Sequence, residues 1–356
     1  YLNGVTLKES RAKKNGGAIA LKANSIAQLE NVSIALCSAG FGGAVSMTDY
    51  SALNGAGLKI SSCGADYGAG IFNESRSRLT LSGSSVYLCE AKNCGGGLYH
   101  HIGALDFAGN TWEDCTAKES GGGLYLMTDS ENPSGLNLTG EKIKDCLAEK
   151  TGGGVFLTDN DQSSYNIHSS ILSGCTLQGN KAETGGGIYV DSTLVYLVGG
   201  EITGNTATGK NGGGVYVDSM KDIDVAGKLV IRDNTSGSGA NNLSLQNGNF
   251  STSKLYSGGL YEGSWIGISS TSGSAANVAK NISVYNAMQF LHSDESGRSF
   301  EYTDEYTVAT PLIASVISES TSVAIILGGV IIIFAVLLLL IFRKRRKEAA
   351  KSDEDE

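Results

Sequence analysis

The sequence predicts an all-β chain, a right-handed parallel β-helix of about 26 residues per rung followed by one transmembrane α-helix. Three observations lead there. A glycine pair or triplet before a branched apolar residue recurs eight times, ending at Ile19, Val45, Ile71, Leu98, Leu124, Val155, Ile188 and Val215, with gaps of 26, 26, 27, 26, 31, 33 and 27 residues. A near-constant period with a few longer copies marks a solenoid with loop insertions. A second motif, an apolar residue then two residues then Cys or Asn, keeps the same period from Ile34–Cys37 to Ile231–Asn234. Finally, Val323–Phe342 is an uncharged apolar run of 20 residues.

Residues 1–245 are the repeats. Each unit has room for two or three short strands with polar turns between them, and none for a helix as well. Strand-only units of this length suit the rungs of a parallel β-helix, whereas a propeller blade needs about 40 residues or more. The glycines fit sharp corners, where φ is positive or a Cβ has no room. Residues 246–314 lose the glycine period; Leu260–Ile268 and Ser283–Leu291 read as strands of a cap over the open end of the solenoid. Residues 315–322 form a polar spacer before the membrane.

The run 323–342 just spans a hydrocarbon layer of about 30 Å. Arg343-Lys-Arg-Arg-Lys347 follows at once, which by the positive-inside rule keeps the tail 343–356 cytoplasmic and the repeats outside. The expected location is the plasma membrane, as a single-pass type I protein. The chain opens within a repeat without a signal peptide and is read as a fragment or a processed form. Formal net charge is −9, and residues 1–342 hold 21 basic and 31 acidic groups. That acidity argues against nucleic acid as a partner. Seven sequons begin at Asn31, Asn73, Asn137, Asn234, Asn242, Asn249 and Asn281, all on the outer side, and are candidate glycosylation sites.

Gly16-Gly-Ala-Ile19, Gly42-Gly-Ala-Val45 and Phe107-Ala-Gly-Asn110 resemble the GGA[ILV] and FxxN repeat pair of the chlamydial polymorphic membrane proteins, and of related surface proteins in protists such as trichomonads. The resemblance covers about residues 5–245, with the other copies following looser forms of both motifs. The chlamydial family ends in an outer-membrane barrel; the single apolar run here is closer to the protist type. The resemblance implies adhesion to host cells and exposure as an antigen, with a host-cell surface protein or glycan as partner.

Three columns of residues accompany the motif. Cys37, Cys63, Cys89, Cys115 and Cys146 share one place in successive rungs, with Asn180, Asn205 and Asn234 continuing it. Neighbouring Cα atoms about 4.8 Å apart would lie within disulfide range, but alternation with Asn suggests a small side chain in a tight turn. No C-x-x-C pair occurs, and no metal or cofactor is expected. Phe72, Tyr99, Tyr125, Phe156, Tyr189 and Tyr216 each follow the branched residue and should point outward, either as a strip for a glycan or protein or as a self-stacked ladder. Asp49, Glu74, Asp129, Asp159, Asp191 and Asp218 follow a few residues later. They read as turn formers, with weak calcium sites or the carboxylates of a glycan-cleaving groove as alternatives. Recurrence in nearly every rung is unlike a catalytic set, so the chain is read as a non-enzyme. A membrane-tethered polysaccharide lyase or hydrolase and a purely structural coat are the alternatives.

Overall fold

The computed structural model describes residues 1–128, 136–160, 169–218, 223–245, 250–252, 259–270, 276–280, 284–294, 300–302 and 306–309. They belong to a compact unit, Tyr1–Pro311. The segment 323–342 lies outside the described residues, as does the tail; among the described residues no helix is long and apolar enough to cross a membrane.

The unit is a parallel β-solenoid of about 9 turns with roughly 26 residues per rung. One coil shows the pattern. Leu98–His101 forms the first face, Leu105–Ala108 the second, Thr111–Glu113 the third, and Thr116–Ala117 a two-residue fourth. Each pairs in parallel with its equivalents in the neighbouring rungs: Leu98 lies between Ile71 and Leu124, and Trp112 between Val86 and Ile143. The sequence suggested two or three strands per unit; the fourth, being only two residues long, has no alternation to reveal it. Its marker is alanine: Ala65, Ala91, Ala117, Ala148, Ala182 and Ala207 are buried one per rung where the coil is too narrow for a larger side chain.

The core is a set of columns. On the first face the branched residue that closes each glycine motif, from Val45 to Val215, is fully buried. The second face contributes Leu53, Leu79, Leu105 and Leu136, the third Ile34, Ile60, Val86, Trp112 and Ile143. Burying each such side chain is worth about 1.5–3 kcal/mol, and each packs chiefly on its own rung and the two adjoining rungs. Two first-face rungs break the apolar interior. The column Met47, Asn73, His100, Leu126, Leu157 is in register, and Asn73 and His100 are both fully buried in it.

Stacking continues beyond residue 245. Phe250–Thr252 pairs in parallel on the second face, while Trp265–Ser270 runs along the third face and then the first. Leu291–Ser293 pairs on Trp265–Ser270 in turn. Antiparallel pairing of Tyr306–Ala309 with Ala276–Lys280 and with Phe300–Tyr302 departs from the solenoid pattern. The expected strand at Ser283–Leu291 is instead a helix, Val284–Phe290. Its Ala287 and Phe290 are buried while Tyr285 and Met288 are exposed, a three-residue spacing that suits a helix lying with one side on the stack.

Candidate binding face

The outward side of the first face carries the aromatic column. The phase is as the alternation required: the branched residues face the core and the rings stand on the other side. The rings are not an open strip. Phe72, Phe156 and Tyr216 are buried and Tyr99, Tyr125 and Tyr189 are half-buried. Successive centroids lie 5.2 Å (Phe72–Tyr99), 4.8 Å (Tyr99–Tyr125), 4.9 Å (Tyr125–Phe156), 5.4 Å (Phe156–Tyr189) and 5.2 Å (Tyr189–Tyr216) apart. From Phe72 to Tyr189 the planes are within 18° of parallel for each neighbouring pair. The self-stacked ladder therefore describes the column, with the rung spacing itself setting the stacking distance.

Two further rings belong to it. Phe41 and Tyr67 stack on each other, and contact Phe72 and Tyr99 respectively. Each immediately precedes the motif's first glycine, a position that Cys94 takes in the next rung, and this shared place is the signal that could have found them. Burial pushes the Tyr99 hydroxyl up to about 12, with Glu74 adding to it. Tyr125 and Tyr189 are also raised, first by burial; at Tyr189 the second cause is its hydrogen bond to Asp218 Oδ2, 2.6 Å away. Because neighbours cover the ring faces, ring edges and tyrosine hydroxyls remain for a ligand. Removing one ring leaves a gap in the ladder. Tyr125→Ala is expected to cost about 2–3 kcal/mol in a urea melt, less than a fully buried ring because Tyr125 is half-buried.

The acidic column does not converge. Asp49 is exposed, and Asp191 accepts from Thr158 and Ser192. Asp218 takes the Tyr189 hydroxyl, Asp159 is buried, and Asp129 lies outside the described residues. Glu74 Oε1 lies 3.6 Å from His101 Nδ1, a carboxylate–imidazole pair found, among the described residues, in one pair of rungs. Among the described residues no group of three or more His, Cys, Asp or Glu side chains could hold a metal ion by converging on it.

The cysteine column has a definite structural role. All seven cysteines are free and buried. Cys115 Sγ lies 3.4 Å from Glu113 O and 3.7 Å from Val86 O, and Cys146 Sγ 3.2 Å from Lys144 O and 3.6 Å from Trp112 O. Asn205 Nδ2 donates to the equivalent carbonyls, Thr203 O and Leu177 O, at 3.2 and 3.0 Å. Each Asn side-chain oxygen accepts the backbone N–H of the preceding rung: Cys146 N to Asn180, Asn180 N to Asn205 and Asn205 N to Asn234. Thiol sulfurs take the same N–H, from Cys37 to Cys63, Cys89 to Cys115 and Cys115 to Cys146. Cys and Asn thus interchange because each both donates and accepts at a buried corner. Neighbouring thiols also perturb one another: the Cys146 thiol holds Cys115 well down, and the Cys115 thiol pushes Cys89 well up. The asparagine series passes through Asn242 to the Asp294 carboxylate, which accepts from Asn242 N at 2.7 Å, Asn242 Nδ2 at 2.6 Å and Ser269 Oγ at 2.7 Å.

These placements reorder the glycosylation candidates. Asn234 and Asn242 are buried members of the ladder, and Asn73 is buried against His100. A glycan on any of the three would disrupt the coil, correcting the expectation from the sequons. Asn31 and Asn137 are exposed, and Asn249 and Asn281 lie outside the described residues. Comparison with known family models, curated proteins and solved structures returns no match.

Proposed function

We propose that this chain is a cell-surface adhesin or displayed antigen. In this reading a right-handed β-helical rod is held outside the plasma membrane by a helix over 323–342. The observation that carries it is repetition: the chemical features on the rod's surface recur rung by rung, and the carboxylates found there are turn or ladder members. A repeating surface suits many weak contacts with a host-cell protein or glycan, whose avidity exceeds that of any one contact. Besides the tyrosine edges, the rod offers exposed apolar side chains near the thiol corner, Leu36, Leu88, Tyr87 and Leu147, which pattern reading missed.

The test is binding of residues 1–311 to host cells and a glycan array. The variant Tyr99→Phe/Tyr125→Phe/Tyr189→Phe keeps the stack and removes its hydroxyls; Leu36→Asn/Leu88→Asn strips the corner. Saturable binding lost in one variant and kept in the other supports the adhesin and locates its face. Absence of binding by folded protein leaves display as the function. Reducing-sugar release from polysaccharide, abolished by His101→Ala, would overturn the reading in favour of an enzyme built on the Glu74–His101 pair.

A further inference from the structure

The short fourth face is hollowed at the amino-terminal rungs. Its outward positions fall in one register: Arg11 beside Ser38, Ser38 beside Gly64, and Gly64 beside Glu90. Two adjoining surface pockets meet on the small pair, Ser38 and Gly64. One, of about 510 Å³, has Lys13, Asp66, Glu90 and Lys92 in its walls. The other, of about 550 Å³, is lined by Glu9, Arg11, Leu36 and Ser62. Each lies in the range of roughly 300–1,000 Å³ for small-ligand sites. Gly64 is the informative residue. Among the described residues it is the one glycine that has no left-handed backbone and whose added Cβ would meet no atom closer than Glu90 O, at 3.9 Å. Neither turn geometry nor packing calls for glycine there, and other rungs hold Thr116 and Leu147 at this position. Glycine in a strand costs stability and often marks the close approach of a ligand.

We propose that this hollow binds a short oligosaccharide with an acid group, carboxylate or sulfate, at one end; the proposal rests on the adhesin reading and names its ligand. Lys8, Arg11, Lys13 and Lys14 outnumber Glu9 in residues 8–14, within a body where acid is in excess. Among the described residues Arg11 and Lys13 form no ion pair, whereas Lys92 is held by Asp66 at 3.0 Å. The Arg11 end therefore suits an anion, which a guanidinium can take through two parallel hydrogen bonds. Glu90 lies three rungs of about 4.8 Å further on, where it repels acid and accepts from hydroxyls. The acid group thus belongs on the sugar ring at the Arg11 end, with neutral rings over Gly64 and Glu90. Ser38 and Ser62 can both donate to and accept from sugar hydroxyls. A peptide strand fits less well, because Gly64 is already paired in parallel on both sides and leaves no free edge to extend.

The test is calorimetric titration of the full-length protein, in detergent micelles, with sialyllactose, sulfated lactose, plain lactose and an oligo-aspartate peptide. The first two separate carboxylate from sulfate. A single site per chain is expected for at least one of them, roughly tenfold or more tighter than for lactose and weaker as salt rises. Arg11→Ala/Lys13→Ala should lose roughly tenfold or more. Lys142→Ala/Lys181→Ala, which changes net charge equally in other rungs, should lose nothing. Gly64→Leu fills the hollow with the residue that another rung carries at this place. It should melt no lower than the parent and bind roughly tenfold or more weakly; if it does not fold, Arg11→Ala/Lys13→Ala carries the test. Binding of neither acidic sugar, equal binding of lactose, or unchanged binding by folded Gly64→Leu would overturn the site. Tighter binding of the peptide would overturn it in favour of a protein segment. Host-cell binding that persists while both acidic sugars fail would remove this site and leave the adhesin standing.

Discussion

Acid is expected to weaken this solenoid through one histidine. His100 is completely buried, and burial pulls its imidazole down to about 3, with the nearby His101 adding to the effect and the Gly103 backbone opposing it. Asn73 Nδ2 donates to His100 Nδ1 at 2.9 Å, a bond that requires a neutral ring nitrogen. The folded pKa lies below the unfolded value near 6.5, so the unfolded chain binds the extra proton. Stability is therefore intact above about pH 6.5 and falls as the pH drops toward 3, by roughly 4–5 kcal/mol in all. Glu141 acts in the opposite direction. Burial raises its carboxyl despite hydrogen bonds from Trp112 and Asn110, so its contribution is lost as pH rises through its folded value. Comparison with a variant isolates the histidine. Asn73→Leu/His100→Leu restores an apolar column and removes Asn73 Oδ1, which has no hydrogen-bond partner among the described residues. This variant should be more stable at pH 7 by about 1–3 kcal/mol. The gap between its urea-melt stability and that of the parent should widen as pH falls from 6.5 to 3. A constant gap would show that His100 is protonated in the fold.

Gly121→Ala should be strongly damaging, and Gly109→Ala the mild comparison. Both glycines have left-handed backbones, at φ +67° and +68°. At Gly121 an added Cβ would lie 2.5 Å from Leu124 O and 2.7 Å from Leu124 C, whereas at Gly109 it meets nothing within 4 Å. Gly109→Ala thus carries only the left-handed penalty of about 1–2 kcal/mol. Gly121→Ala adds a collision with backbone that has no room to move and is expected to cost more than about 4 kcal/mol. Paired melts of the two variants measure the difference. Equal losses would mean that the corner at Gly121 relaxes.

The same contrast explains what was legible in the sequence. The first motif position is glycine in all eight copies because it needs both a left-handed backbone and an absent Cβ, and that double demand is what the period detects. Left-handed corners with free space hide themselves. The residue before the cysteine column is Leu36, Ser62, Leu88, Asp114 or Asp145, all at positive φ with no shared side-chain type. The rung length, the inward branched residues and the outward aromatic phase followed from local pattern. Burial of the rings did not, because it comes from stacking between rungs, with Phe41 and Tyr67 adding to it at Phe72 and Tyr99. Nor did the fate of the sequons. Asn234-Thr-Ser and Asn31-Val-Ser look alike as tripeptides, yet one asparagine is a rung of a hydrogen-bonded ladder and the other lies on the surface.

The interchangeable corner residue has a genetic consequence. Where successive rungs present the same donor and acceptor to their neighbours, unequal recombination that adds or deletes one whole repeat rejoins compatible edges. The rod would lengthen or shorten in steps of about 4.8 Å with its columns intact. Duplication among the rungs of Cys37 to Cys115, spaced 26 residues apart, needs no adjustment elsewhere. The last asparagines are different, because their series ends on the single carboxylate of Asp294. Variation in reach within a population of such genes would then collect toward the amino-terminal rungs, while the carboxyl-terminal end stayed fixed in length.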